Sequence, residues 1–286
     1  MSATPPAALS PVRLAVLVAL AITAFAGNSL IARAALAQQS IGPGAYTALR
    51  LAAGAAILWL IVRPAPVAGS WRGALALLGY AGAFSFAYVA LGAATGALIL
   101  FAAVQLTIFA VALGRGDRPG LAIWIGMALA AAGLVWLLLP GLNAPAPLAA
   151  LAMALAGAAW GGYTLLGRGA GSPAAAAAWS FVIAAPLALP LVVIDATPIS
   201  TGGALLAVLS GAVTSGLGYL AWYRALPQLS ASAAAMLQLL TPPLTAVSGG
   251  MLLGEPLSWR IATASVLILA GVLLALRATS LPAGRS

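Results

Sequence analysis

Few side chains in this sequence can do chemistry, and those few are the types that hold a small molecule rather than transform one. Asn28 lies inside a long apolar run beside Gly27 and Ser29. Its amide offers donors and an acceptor together, which suits an amino or carboxyl group; the competing role is an interhelical hydrogen bond next to a close-packing glycine. Tyr80, Phe84 and Tyr88 recur at every fourth position, so on a helix they form one aromatic stripe. Ser215, Tyr219 and Tyr223 repeat that spacing further on, with Trp222 alongside. Trp160, Tyr163 and Thr164 sit halfway along another apolar run, thinned by Gly161 and Gly162. Trp59, Trp71, Trp136, Trp179 and Trp259 fall nearer the ends of their runs, where aromatic rings anchor to a membrane surface. Phe101, Gln105, Gln238 and Thr241 complete the candidate substrate-binding set: Asn28, Tyr80, Phe84, Tyr88, Phe101, Gln105, Trp160, Tyr163, Tyr219, Gln238 and Thr241. Pro242 and Pro243 remove backbone donors in mid-run and leave carbonyls near Leu239 free for bonding or a hinge. Arg50 is the one charge expected inside the membrane, about seven residues from the end of its run. It would either attract an anionic group or snorkel to the nearer surface, and its position favours snorkelling.

Absences narrow the chemistry further. With no Cys and no His, thiol catalysis, disulfides and the usual metal ligands and general base are missing. Asp117, Asp195 and Glu255 are the only acids, and none falls within an apolar run, so no proton relay is expected. No phosphate-binding glycine loop followed by lysine occurs, which removes an ATP-driven engine. Neither an enzyme nor a cofactor or metal is expected.

The elements that position these residues must be membrane helices. The chain has 286 residues, of which 5% are charged and 64% hydrophobic, with a mean hydropathy of +1.13. Soluble domains carry about 25% charged residues, so the lipid bilayer is the expected solvent. Apolar runs broken by Gly, Pro, Ser or Arg give ten candidate spans, at 12–36, 43–62, 71–91, 95–113, 120–139, 147–167, 173–194, 202–223, 230–252 and 258–277. Each suits a helix; a β-barrel would instead alternate over about ten residues. The first run continues past Gly27, longer than a cleaved secretory signal requires.

The net charge of +9 comes from arginines scattered singly, a pattern of topology rather than of a nucleic-acid surface. Retention of Arg on the cytoplasmic side predicts both termini inside. The stretch 24–34 sets against 158–168, sharing Gly27 and Gly161, and the stretch from Tyr88 sets against that from Tyr223. Two halves of five spans each, 1–143 and 144–286, must then enter the membrane with opposite orientation, an inverted repeat that in secondary transporters places the site near the midplane.

Ala159-Trp160-Gly161 in the sixth span and Pro242 with Gly254-Glu255-Pro256 at the end of the ninth resemble the drug/metabolite transporter superfamily of EamA type, and within it bacterial amino-acid exporters of the YddG kind. The chain departs from that pattern where Ala26-Gly27-Asn28 lacks the tryptophan of many members, and where Gln105 to Thr107 lacks the proline of the fourth span. The resemblance implies a central cavity lined by the first, third, fourth, sixth, eighth and ninth spans and opened alternately to each side. The expected function is export of small amphipathic metabolites, foremost amino acids of broad specificity, with drugs or other metabolites as the alternative. The expected partners are the small-molecule substrate and the bilayer, in a bacterial inner-membrane protein acting as a monomer.

Overall fold

The computed structural model describes residues 9–63, 70–116, 120–139, 144–168, 172–195, 197–229, 234 and 237–280. Among these residues the only regular structure is helical: α1 (Pro11–Ala37), α2 (Pro43–Val62), α3 (Ser70–Tyr88), α4 (Ala93–Gly114), α5 (Leu121–Leu138) and α6 (Pro147–Arg168). There follow α7 (Pro173–Leu187), α8 (Leu189–Ile194), α9 (Thr201–Leu209), a π-helical segment (Ser210–Leu217) and α10 (Gly218–Ala225). The described chain closes with α11 (Thr241–Leu253) and α12 (Trp259–Ser280). Seven stretches among the described residues are long and apolar enough to cross a membrane, and the chain is an integral, multi-pass membrane protein.

Local chemistry explains the boundaries. Proline occupies the first turn of α1, α2, α7 and α11, where a missing N–H costs nothing. The Ser10 and Ser200 hydroxyls accept from Arg13 N and Gly203 N and so cap α1 and α9. Gly254, at φ 64°, takes the left-handed conformation that ends α11. Pro190 cannot donate to the preceding turn, and the chain breaks at Ala188 between α7 and α8. The expected spans agree with the helix ends within three residues, apart from the ninth. There helical residues at 234 and 237–238 lead into a turn at Leu239 and Leu240, and Pro242 and Pro243 open α11 directly after it.

The helices pack in a pattern that positions the centre of the molecule. Both α3 and α4 lie on α6, while α1 lies on the π-helical segment, α10 and α11; α2 contacts α7 and the π-helical segment, and α5 pairs with α12. Without water to drive apolar surfaces together, such contacts depend on close approach at small residues. A methyl group on Gly211 would overlap the Arg50 carbonyl, and one on Gly157 would overlap that of Leu100. Gly126 and Gly271 meet in the same way between α5 and α12.

Candidate substrate-binding site

Asn28 is 4% exposed near the middle of α1 and all its chemistry is turned inward. Its Oδ1 accepts from the Ser210 hydroxyl at 2.7 Å and from Thr214 Oγ1 at 3.2 Å, both on the π-helical segment. Its Nδ2 donates to the Tyr80 hydroxyl on α3 at 3.3 Å. That hydroxyl also accepts from Arg50 Nη2 on α2 at 3.1 Å. Arg50 continues the chain of bonds, donating from Nε to Ser215 Oγ at 3.0 Å and from Nη2 to the Tyr219 hydroxyl at 3.5 Å. Four membrane segments are thereby joined through polar side chains in a medium that offers no water to replace them. The wide turns of the π-helical segment, a geometry frequent at functional sites, place Ser210, Thr214 and Ser215 where α1 and α2 reach them.

Aromatic rings form the wall beside this network. Tyr88, Phe84 and Tyr80 stack along α3 with centroids 4.6 and 5.4 Å apart. Trp160 of α6 continues the column, 4.8 Å from Tyr80, 4.9 Å from Tyr219 and 5.5 Å from Tyr163. Phe25 of α1 meets Trp160, Tyr219 and Trp222 edge-on. A cavity lies between these walls, lined by Phe25, Asn28, Ser29, Tyr80, Phe84, Leu100, Phe101, Trp160 and Tyr219. Its volume is about 10 Å³, close to the least that a single water requires. The space is too small for an amino acid, and a larger occupant requires the helices to part.

Six of the eleven expected residues, Asn28, Tyr80, Phe84, Phe101, Trp160 and Tyr219, line this cavity. Tyr88 and Tyr163 stand one ring contact away. Gln105, Gln238 and Thr241 are buried but belong to none of its walls. Gln238 and Thr241 flank the break before α11, where Gln238 Oε1 and Thr241 Oγ1 have no hydrogen-bond partner. Arg50 overturns its expectation. It does not snorkel: it is 1% exposed, and its guanidinium packs 5.1 Å from the Tyr80 ring centre and 4.9 Å from that of Phe84. Phe25, Ser210 and Thr214 went unselected; polar side chains within an apolar run were the available signal for the last two.

The one ion pair among the described residues lies at the far end of α1. Arg33 Nε meets Glu255 Oε1 at 2.9 Å, and Arg33 Nη1 donates to the carbonyls of Tyr88 and Val89. Glu255 Oε2 accepts from Ala93 N at 2.7 Å, so the carboxylate caps α4 where the helix dipole is positive. Asp195 does the same for α2, accepting from Gly44 N at 3.2 Å.

A helical membrane protein with a buried polar and aromatic chamber among its packed helices has the make-up of a small-molecule transporter. Residues 147–277 match the EamA-like transporter family. The uncharacterized protein PA1977 of Pseudomonas aeruginosa is 49% identical over 271 residues, covering 92% of this chain and 94% of that protein. A crystal structure superposes with a TM-score of 0.65 at 22% identity, over 91% of this chain and 98% of its own, which is a likeness of fold. The chain belongs to the EamA-like transporter family of the drug/metabolite transporter superfamily.

Proposed function

We propose that this chain exports amino acids, aromatic ones included, by alternating access at the chamber around Asn28, Trp160 and Tyr219. One observation carries the reading: the buried chamber joins apolar aromatic walls to hydrogen-bonding groups that contain no acid. Such walls pack an apolar side chain, and the polar groups bond a zwitterion without selecting one amino acid.

In this reading ten spans form two inverted repeats, 1–143 and 144–286. The family match lies within the second. Exchanging the halves also exchanges observed packings: α3 and α4 on α6 correspond to the π-helical segment with α10, and α11, on α1, while α2 with α7 and α5 with α12 correspond to themselves. Both termini face the cytoplasm in the bacterial inner membrane, by the bias of arginines, and one chain is the functional unit. No titratable acid or His lies within a span, so transport runs down the substrate gradient or by exchange.

Counterflow tests this directly. Proteoliposomes loaded with unlabelled phenylalanine or threonine, without an ion gradient, should accumulate labelled amino acid from outside. Trp160→Ala or Tyr219→Ala should reduce the rate at least tenfold. Absence of accumulation across a panel of amino acids would move the substrate to drugs or other metabolites, and dependence on a pH gradient would replace uncoupled transport.

A further inference from the structure

Arg50 is a permanent charge held where charge is least welcome. It is 1% exposed, and its Nη1 has no hydrogen-bond partner. No carboxylate among the described residues pairs with it. Glu255 is taken by Arg33 and Ala93 N, and Asp195 by Gly44 N and Thr197, at the ends of their helices. Ser215, Tyr80 and Tyr219 supply neutral oxygens, and the rings of Tyr80 and Phe84 supply their faces. These groups orient a guanidinium without neutralising it.

Besides the Tyr46 hydroxyl, buried nearby without a hydrogen-bond partner, the described surroundings offer donors, and no group that carries negative charge. Arg50 only donates. The Tyr80 hydroxyl already accepts from Asn28 and Arg50, so its remaining capacity is its own proton. Tyr80, Tyr219 and Phe84 also line the chamber, and the guanidinium therefore stands directly behind the chamber wall. We infer that Arg50 is the seat of the transported molecule's negative group: a carboxylate takes the vacant Nη1 together with Nη2, flanked by the Tyr80 and Tyr219 hydroxyls. The substrate is then the missing counterion, and a solute without an anionic group leaves the guanidinium unpaired.

This deepens the amino-acid reading and rests on the same chamber, yet the two fail separately. Equilibrium dialysis of the purified full chain would use labelled phenylalanine and labelled phenylacetate, which has no amino group. Phenylalaninamide and phenylacetamide, which have no carboxylate, would compete. Wild type should prefer each carboxylate over its amide by about tenfold to a hundredfold, the range of a charge-assisted pair. Arg50→Gln, checked for folding by gel filtration and circular dichroism, should bind acid and amide alike; Arg50→Lys should keep a weakened preference. Equal competition by the amides in wild type overturns the anion seat, as does a preference that survives Arg50→Gln, or failure of both carboxylates to bind. Phenylacetate bound at Arg50 with no phenylalanine transported overturns the amino-acid reading alone. If Arg50→Gln does not fold, Arg50→Lys decides in its place: an undiminished preference for the acids overturns the seat.

Discussion

At the scale of single residues, Arg50 separates what position along a run can tell from what packing decides. From the sequence, its place near one end of a span leaves a path to the surface for a long side chain. That path closes because Gly211 lets the π-helical segment approach the Arg50 backbone, which brings Ser215 within 3.0 Å of Nε. A contact of this kind depends on two residues far apart in the chain, and no local pattern announces it. Asn28, by contrast, was legible, because an amide inside a span must find partners. The cost of holding Arg50 gives a prediction about stability. Replacing an uncompensated buried charge by a neutral group of similar size is expected to stabilise the fold by about 1 kcal/mol, or roughly 2–4 °C in Tm at this size. Arg50→Gln should therefore melt higher than wild type in detergent while losing its preference for acids. A clear fall in Tm would mean that the guanidinium serves mainly as a tie between α2, α3 and the π-helical segment.

Most elements could be read from the sequence, since Pro, Gly and Ser mark their ends and the apolar runs supply their lengths. Two features escaped for physical reasons. The π-helical segment keeps the same small and apolar composition as an ordinary span, so hydrophobicity does not report its wider turns. The turn at Leu239 and Leu240 escaped because Pro242 and Pro243 can sit inside a kinked span or open a new helix, and the sequence does not say on which side of them the chain turns. The glycines make the element scale testable. Gly211→Ala would press a methyl group into the Arg50 carbonyl, and overpacking of this kind costs about 1–3 kcal/mol. Gly162 in α6 has nothing within 4 Å of the position a Cβ would take. Gly162→Ala should stabilise by up to about 1 kcal/mol through helix propensity alone. Thermal melts of the two variants should thus move in opposite directions. A shift of the same sign in both would show that backbone entropy, not close approach, governs the junction of α2 with the π-helical segment.

For the whole molecule, contacts between distant parts of the chain hold α1, α4 and the α11–α12 connection together on the Glu255 side. Arg33, the carbonyls of Tyr88 and Val89, the first amide of α4 and Glu255 form one clasp from α1, the α3–α4 turn and the α11–α12 connection. Ser200 N donates to Ser40 O at 2.9 Å on the same side, beside Asp195 and Gly44. On the opposite side Leu9 N donates to Gln228 Oε1 at 3.0 Å. Opening the chamber toward Glu255 must release the clasp. The ion pair is partly exposed, at 23% and 19% for its two side chains, so its own contribution is modest. Together with the charged cap on α4, the clasp is worth roughly 1–2 kcal/mol, equivalent to about a 5–30-fold change in the open population. The absence of native cysteine allows a direct measurement. In Phe101→Cys, whose position lines the chamber, a membrane-impermeant thiol reagent added on the Glu255 side should react slowly. Adding Glu255→Gln should raise that rate about 5–30-fold and leave the rate from the other side unchanged or lower, because the two open states draw on one closed population. Equal acceleration from both sides would indicate general loosening of the helices, and an unchanged rate would remove the clasp from the closing of the chamber.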